Sequence, residues 1–336
     1  MEVALFVFRD IIEGVIKSNK PKENKMTREI PIFFSTDDNY IPYLDTAVAS
    51  LIANASKEYR YRIIVLNTGL SCENEALVKK NERPGFAIDF VNISEELKDI
   101  KSRFKDVYHF SIVTYYRLFI ASLFPQYDKI VYLDCDLIVL GNIAELFNME
   151  MGDNILAAAP ERFVQSTEEF RVYAEKALGV DPDRYVNAGV LLMNLEEFRK
   201  CKIEERFVEL ISHYDFDLLD PDQAYLNYLC DGKILVLKNG WNKEPIPEEC
   251  DGKKNIVHYA LYKKPWQYDD VIDGECFWEY AARSPFYQVI KDRKASFSPE
   301  DRAKKDEMAK EILTHAIEIT KSEETFSKKL IKEMRA

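Results

Sequence analysis

Short apolar runs alternate with longer amphipathic segments along most of the chain. Apolar runs of about four to eight residues between polar or turn residues are typical of buried strands, whereas the longer segments have a helical period. The alternation predicts an α/β fold with a mainly parallel sheet covered by helices on both faces. The clearest strand patterns cover residues 30–35, 61–66, 86–93 and 129–133, and helix patterns cover residues 42–55, 71–82 and 114–124.

The second half of the chain continues this pattern and then changes character. Beyond about Ser296 the sequence becomes highly charged, and Ser298 followed by Pro299 is a typical helix start. We therefore expect an N-terminal extension (residues 1–25), one α/β domain (residues 26–290) and a charged helical C-terminal extension (residues 291–336). Further strand patterns cover residues 154–159, 190–193, 233–237 and 255–259.

The charge of the chain bears on its partners. A formal net charge of −12 argues against a nucleic-acid partner, because phosphate backbones are bound through clustered Lys and Arg. An acidic protein can still bind a diphosphate when a divalent cation bridges its carboxylates to the phosphate oxygens. Acidic composition together with phosphate chemistry therefore points to a metal.

Cysteine spacing and hydropathy suggest a cytoplasmic location. The six cysteines form no C-x-x-C pair, which favours free thiols in a reducing compartment, and no apolar stretch is long enough to span a membrane. The last nine residues include Lys328, Lys329, Lys332 and Arg335. This basic end is either a solvated helix end or a peripheral contact with the anionic cytoplasmic face of the membrane.

The strongest chemical feature is an apolar strand that ends in two carboxylates. Residues 130–133 are apolar, and Asp134 and Asp136 follow with one residue between them. Ligands of open α/β sheets bind at strand ends, and two adjacent acids repel each other unless a cation lies between them. The alternative is a surface turn without a ligand. The apolar residues on both sides of the motif argue against it, because burying carboxylates without a partner is energetically unfavourable.

Three more polar clusters lie next to predicted strands or before a predicted helix. His258 is a candidate nitrogen ligand to the same cation, and Lys264 could neutralise a departing phosphate, although a lone histidine is more often structural. Asp222 and Gln223 lie in a polar cluster before an apolar helix, where an aspartate can also act as a helix cap. Asn187 precedes small residues that let backbone approach a ligand closely.

In this order, these elements resemble glycosyltransferase family 8, which includes bacterial lipopolysaccharide galactosyl- and glucosyltransferases and is similar to glycogenin. The resemblance spans roughly residues 32–266. Its motifs here are Ser-Thr-Asp-Asp-Asn-Tyr at 35–40, Thr-Tyr-Tyr-Arg-Leu at 114–118, Tyr-Leu-Asp-Cys-Asp at 132–136, Asn-Ala-Gly-Val-Leu-Leu-Met-Asn-Leu at 187–195, Asp-Gln at 222–223 and the segment 258–266.

The resemblance implies a single Rossmann-like nucleotide-binding domain of GT-A type, a manganese ion with magnesium as the alternative, and a UDP-sugar donor. It also implies transfer of a hexose, galactose or glucose, with retention, to a saccharide or glycolipid acceptor in cell-surface polysaccharide or lipopolysaccharide synthesis. The resemblance also implies roles for single residues: Ser35, Asp37 and Asn39 contact uridine and ribose, and Asp134, Asp136 and His258 bind the metal. Arg117 and Asp134 hold the donor sugar or its phosphates, and Lys264 faces the diphosphate. Asn187 and the catalytic Asp222 and Gln223 face the transferred sugar, and His109 with Thr114 lies toward the acceptor.

One departure from the family pattern concerns Leu261, because the family usually has glycine three residues after the metal-binding histidine. A side chain there is expected to reshape the lid or weaken donor binding, which keeps a non-catalytic UDP-sugar-binding protein as an alternative. A phosphohydrolase with an aspartyl nucleophile is the other alternative, but Ile138 stands where such enzymes usually have Thr or Val. Retention with Gln223, a poor nucleophile, at the sugar favours front-face attack over double displacement.

Overall fold

A seven-stranded sheet forms the centre of the protein in a computed structural model that describes residues 28–104, 112–260 and 262–334. The strand order is β3-β2-β1-β4-β7-β6-β8, and a separate two-stranded sheet pairs β5 with β9. The strands are β1 (Glu29–Ser35), β2 (Arg60–Asn67), β3 (Phe86–Asn92), β4 (Lys129–Leu133), β5 (Leu137–Val139), β6 (Leu156–Pro160), β7 (Val186–Asn194), β8 (Ile234–Val236) and β9 (Ile256–His258).

The predicted, mainly parallel α/β architecture is confirmed. Strands β3, β2, β1 and β4 pair in parallel, and so do β6 and β8, whereas β7 runs antiparallel to both of its neighbours. The sheet is buried on both faces. Along β4, Ile130 and Tyr132 pack into one apolar cluster and Val131 and Leu133 into the other, as the two-residue period of a strand requires.

Helices cover the sheet, and several begin where the sequence indicates. Ser71 accepts a hydrogen bond from Asn74 N, and Ser298 with Asp301 forms a capping box. The α-helices are α1 (Ile41–Asn54), α2 (Cys72–Val78), α3 (Ser94–Leu97), α4 (Ile120–Leu123), α5 (Ile143–Phe147), α6 (Arg162–Ser166), α7 (Glu168–Tyr173), α8 (Leu195–Lys200), α9 (Ile203–His213), α10 (Pro221–Leu229), α11 (Gly274–Ala281), α12 (Tyr287–Ser296), α13 (Pro299–Lys321) and α14 (Phe326–Met334). The 3₁₀ segments are Lys79–Asn81, Lys101–Arg103, Ile112–Phe119, Pro182–Arg184 and Asn239–Trp241, and Ala174–Leu178 is a π-helix.

Two elements differ from the sequence prediction. The helix expected at residues 114–124 is a 3₁₀ segment, Ile112–Phe119, followed by the short α4; the β-branched run at residues 112–114 lowers α-helical propensity there. Strand β7 begins four residues earlier than predicted. Asn187, Ala188 and Gly189 therefore lie within the strand and not before it.

The described part of the C-terminal extension packs against the rest of the protein. Ala316 and Ile319 of α13 and Phe326 of α14 are buried in the core. The expected boundary at residue 290 falls inside α12, and the three-part division stays a prediction. Within the described ranges, no helix combines the length and apolarity needed to cross a membrane.

Candidate active site

The two carboxylates of the Asp-x-Asp motif meet the histidine because of strand register. The chain leaves β4 at Asp134 and enters β5, where Leu137 pairs with His258 of β9. His258 Nε2 lies 3.2 Å from Asp136 Oδ1 and 3.8 Å from Asp134 Oδ2. The motif thus passes from the large sheet to the small one, and the small sheet brings in the imidazole.

The second nitrogen of His258 is held by a chain of amides. Nδ1 lies 2.8 Å from Asn242 Oδ1, Asn242 Nδ2 donates to Asn187 Oδ1 at 2.7 Å, and Gly189 N donates to the same oxygen at 2.8 Å. A partner on the far nitrogen orients a metal-binding imidazole. Asn187 and Asn242 therefore position His258 through hydrogen bonds that begin in β7.

The three side chains form a set that fits a divalent cation. One ligand atom from each of Asp134, Asp136 and His258 lies within 4.8 Å of the others. Carboxylate oxygens with one imidazole suit first-row divalent ions, Mn²⁺ among them. Gly189 keeps this space open, because a Cβ there would overlap the His258 ring and lie 2.7 Å from Asp134 Oδ2.

Lys264 lies beside the same carboxylates. Its Nζ donates to Asp136 Oδ2 at 2.7 Å and also to the carbonyl oxygen of Tyr259. Burial alone would raise the pKa of Asp136, but its interactions with Lys264 and His258 outweigh burial and hold that pKa well below its ordinary range. Asp136 is therefore ionised and ready to coordinate a cation, and the Lys264 ammonium is placed where an anion can reach it.

Arg117 joins the candidate metal ligand Asp134 to the catalytic candidate Asp222. The guanidinium is 2% exposed, with NH2 2.7 Å from Asp134 Oδ1 and Nε 3.0 Å from Asp222 Oδ2. It also donates to the carbonyl of Ala188 and lies over the Tyr132 ring, 4.2 Å from its centroid. A buried arginine held by two carboxylates has a fixed position, so it can orient a ligand without first being ordered.

A cavity of about 230 Å³ connects these groups. Its polar wall includes most of the predicted site residues, and the other wall is apolar. The polar lining contains Ser35, Asp37, Thr114, Arg117, Asp134, Asp136, Asn187, Asp222, Gln223, His258 and Lys264, with Thr36 and Tyr40 in addition. The apolar lining contains Val113, Phe163, Val164, Phe170, Tyr173, Leu219, Ala309 and Ile312.

Three residues named from the family resemblance are not placed on this cavity. Asn39 is exposed and lies away from the lining, where its backbone N donates to Asp37 Oδ1 at 2.9 Å. Asp37 also accepts from Tyr40 N, so the acid caps the turn that starts α1. His109 and Leu261 lie outside the described residues.

The sequence analysis missed Glu161 and Asp220, which line the cavity beside Gln223. Gln223 Nε2 donates to Asp220 Oδ2 at 2.8 Å and lies 3.4 Å from Glu161 Oε2, while Gln223 Oε1 accepts from Ala188 N at 2.9 Å. Glu161 follows the apolar run of β6, the same signal that revealed Asp134. Asp220 occupies the N-cap position of α10, yet its side chain makes no capping bond.

Burial raises the pKa of both aspartates at this end. It raises the pKa of Asp220 to about 7, even though Tyr185 Oη and Gln223 Nε2 donate hydrogen bonds to it. Burial also raises the pKa of Asp222, against the opposing charge of Arg117. Both carboxyl groups at this end are therefore easier to protonate than an ordinary aspartate, and they lie next to the neutral amide of Gln223.

The family match agrees with this geometry. Residues 31–270 match the description Glycosyl transferase family 8, which is more than half of the chain. The chain belongs to glycosyl transferase family 8. The protein is therefore a glycosyltransferase, and the aspartyl phosphohydrolase alternative is not supported.

Related proteins carry names consistent with that family. The chain is 28% identical over 246 residues to a putative glycosyltransferase of Haemophilus influenzae, covering 70% of this chain and 72% of that protein. It is 27% identical over 286 residues to the lipopolysaccharide 1,2-glucosyltransferase of Escherichia coli, covering 77% and 78%.

Solved structures place the fold in the GT-A class. The galactosyltransferase LgtC, determined in complex with donor and acceptor sugar analogs, has a TM-score of 0.63 and 30% identity, covering 76% of this chain and 96% of that one. The bifunctional glycosyltransferase WbbM has a TM-score of 0.69 at 23% identity, covering 83% and 54%, and shows similarity of fold alone. The predicted fold class is confirmed.

Proposed function

We propose that the protein transfers a hexose, galactose or glucose, from a UDP-sugar to a saccharide or glycolipid acceptor with manganese bound and with retention of configuration. The arrangement of Asp134, Asp136 and His258 beside Lys264 carries the proposal, because it combines a cation site with a cation able to face a diphosphate. Magnesium is the alternative ion. The names of the lipopolysaccharide glucosyltransferase and LgtC support a sugar donor and a cell-surface saccharide product.

Each end of the cavity has a distinct role in this reaction. Ser35 and Asp37 face the nucleoside, and Asn39 supports the same turn from outside the cavity. A divalent cation at Asp134, Asp136 and His258 supplies Lewis-acid stabilisation for the charge that develops on the leaving diphosphate.

Lys264 adds a second positive charge at the diphosphate. In the structure its ammonium lies 2.7 Å from Asp136 Oδ2, beside the candidate cation site. At the sugar end, Asn187, Asp222 and Gln223 position the hexose, and Arg117 holds Asp222 in place.

The state of Gln223 supports front-face attack. Its amide oxygen accepts from Ala188 N and its nitrogen donates to Asp220, so both ends of the amide are engaged. An amide held in this way orients the sugar but does not form a covalent bond to it. In front-face attack the acceptor hydroxyl enters beside the leaving group, and a phosphate oxygen takes its proton.

The metal site is tested by calorimetry of UDP binding in manganese. Asp136→Ala removes one of the three ligands and should weaken manganese-dependent UDP binding and abolish transfer without unfolding the chain. Asp128→Ala is the matched control, because that carboxylate is 80% exposed and pairs with Arg199. Equally tight UDP binding by wild type and Asp136→Ala would show that the assigned site is wrong.

The stereochemical part is tested separately. Proton NMR of the first product from an α-linked donor should show an α-linkage. A β-linked product would contradict both retention and the front-face route. A screen of UDP-sugars by released UDP would identify the donor.

The remaining alternative is a non-catalytic UDP-sugar-binding protein. The reason for considering it is Leu261 in place of the family glycine, and Leu261 lies outside the described residues. Measurable donor hydrolysis or transfer would exclude it. The cytoplasmic location and a peripheral contact of the basic C-terminal end with the inner membrane face stay predictions. Lys328 pairs with Glu323 and Lys329 with Glu324, which lowers the positive charge available for such a contact.

A further inference from the structure

A pair of carboxyl groups is buried behind the sugar end of the cavity. Glu161 follows β6 and is 6% exposed, and Glu244 follows the 3₁₀ segment Asn239–Trp241 and is 1% exposed. The two carboxyl groups interact, since Glu244 Oε1 accepts from the backbone N of Arg162, the residue after Glu161, and the charge of Glu161 raises the pKa of Glu244. Glu161 lines the cavity and Glu244 does not, so we expect Glu244 to act on a ligand through Glu161.

The contacts of Glu161 use both of its carboxyl oxygens as acceptors. Oε1 accepts from Phe163 N at 3.2 Å, and Oε2 accepts from Asn187 Nδ2 at 2.6 Å and lies 3.4 Å from Gln223 Nε2. All three neighbours are N–H donors. Glu244 Oε2 has no donor within the described residues, so a proton shared by the two carboxyl groups fits better on Glu244.

The contacts of Glu244 fit a protonated acid. Oε1 accepts from Arg162 N at 3.3 Å, and Oε2 has no donor within the described part of the chain. A hydrogen bond between two carboxyl groups needs one proton between them. Burial, followed by the negative charge of Glu161, raises the pKa of Glu244 well above its ordinary value.

The charged groups around Glu244 do not replace that proton. Lys243 donates its Nζ hydrogens to the carbonyl oxygens of Glu244 and Ile246, and the Arg162 guanidinium pairs with Glu248. Asp220, on the other side of Glu161, is another acid. Two ionised carboxylates side by side in this environment would repel each other strongly.

We propose that Glu244 is a protonated carboxylic acid that shares its proton with Glu161 and thereby positions the Glu161 carboxylate at the sugar end of the active site. Glu161 in turn holds Asn187 and Gln223. The proton on Glu244 removes the repulsion that two ionised carboxylates would have, so the Glu161 carboxylate can stay ionised beside the sugar. This inference rests on the proposed function, because it assigns Glu161 to the sugar end of a donor site.

The protonation state is tested without any activity measurement. Infrared spectra at neutral pH should show a carbonyl band of a protonated carboxylic acid in the wild type, and Glu244→Gln should remove that component. Glu204→Gln is the matched control, because Glu204 also has a pKa raised by burial, to about 7, but lies away from the cavity. Glu204→Gln should remove a carbonyl component different from the one that Glu244→Gln removes. Survival of the Glu244 component in Glu244→Gln would overturn the proposal.

Kinetics distinguish a positioning role from simple packing. The amide of Glu244→Gln still donates to Glu161 and should keep kcat within about threefold, whereas Glu244→Met fills similar space without a donor and should lower kcat by about tenfold or more. Glu244→Gln should also keep manganese-dependent UDP binding near the wild-type value, whereas Glu244→Met should weaken it, because Glu161 holds Asn187 and Asn187 positions His258 through Asn242. Equal losses in the two variants would contradict the inference.

A third comparison uses Glu161→Gln as background. If Glu244 acts only through Glu161, Glu244→Met should cause little further loss of kcat in Glu161→Gln, and independent additive losses would overturn the role. Should Glu244→Met fail to fold, the infrared result and the kcat of Glu244→Gln still decide. Absence of turnover of every UDP-sugar by the wild type would instead contradict the proposed function, and the infrared result would remain valid.

Discussion

At the scale of single residues, the site depends on small differences in side-chain size and charge. Gly189 lies in β7 directly against His258 and Asp134, two of the candidate metal ligands, and His258 reaches Asp136 because β5 and β9 pair in one register. In the same cavity the pKa of Asp136 is held well below its ordinary range, and the pKa of Asp220 is raised to about 7. Burial and neighbouring charge, and not residue type, produce this difference.

Gly189→Ala should disrupt the metal site while leaving the strand intact. The added methyl group would overlap the His258 ring and approach Asp134 Oδ2, so we expect loss of manganese-dependent UDP binding. Gly274→Ala is the control, because its new Cβ would meet Val271 and Pro265 at ordinary contact distances of 3.5 and 3.6 Å. Calorimetry that finds normal UDP binding by Gly189→Ala would place the metal elsewhere.

Asp220→Asn should change the pH dependence of stability. The raised pKa of about 7 means that the folded protein keeps a proton which the unfolded chain, with an ordinary pKa of about 3.9, has already lost. The stabilisation from this group is complete below the unfolded pKa and disappears as pH rises through about 7.

The measurement is denaturant unfolding at several pH values between the unfolded pKa of about 3.9 and the folded pKa of about 7. The free energy of unfolding of wild type should fall with rising pH more steeply than that of Asp220→Asn, by up to about 1.4 kcal/mol per pH unit. Glu204 and Asp45 also have pKa values raised by burial, so only the difference between the two proteins is informative. The exposed Asp153→Asn should follow wild type. Identical slopes for wild type and Asp220→Asn would show that Asp220 is ionised in the fold.

At the scale of elements, the C-terminal helix α13 contributes to the active-site cavity. Helix α13 contributes Ala309 and Ile312 to the apolar wall of the cavity. It also holds the segment after β9, since Lys305 Nζ donates to Gln267 Oε1 at 3.0 Å. The cavity therefore depends on a helix that sequence analysis could describe only as a charged extension.

Phe326→Ala tests how strongly this region is attached. The Phe326 ring is fully buried and contacts the rings of Phe216, Tyr225 and Tyr228, with centroids 4.6 to 5.1 Å away. Its truncation should lower the free energy of unfolding by about 3 to 5 kcal/mol. Ile272→Ala, at a side chain that is 40% exposed, should cost far less. An unchanged denaturation midpoint for Phe326→Ala would mean that α14 detaches without consequence.

At the scale of the whole molecule, ligand binding and folding are coupled. The candidate metal ligands are Asp134 and Asp136, between β4 and β5, and His258 in β9, so a metal bound there would connect segments that are far apart in the chain. A ligand that binds only the folded state stabilises it by mass action.

Manganese with UDP should therefore stabilise the wild-type protein against heat and denaturant. At a ligand concentration about 100 times Kd, the expected gain is about 2.7 kcal/mol. UDP with EDTA should produce much less, and Asp136→Ala should show little gain under either condition. A thermal shift of equal size with EDTA present would indicate that nucleotide binding does not use the metal site.

The sequence by itself determined the elements and much of the site's chemistry. Strand β4 ending in Asp134 and the capping box at Ser298 depend on neighbouring residues, so local patterns reveal them. The order of the motifs also indicated the family. Thr114 was placed in a helix and lies in a 3₁₀ segment, because local propensity does not specify how a turn packs against a site.

Only the tertiary structure decided which distant groups meet. Asp136 and His258 are 122 residues apart and come together through the register of β5 and β9. Glu161 and Glu244, the pair that we propose shares a proton, interact only because distant segments bury them together, and neither residue has a local signature of that pairing. Burial depth and contacts between distant segments arise when the sheets and helices pack, and they set the charge states that a sequence pattern leaves open.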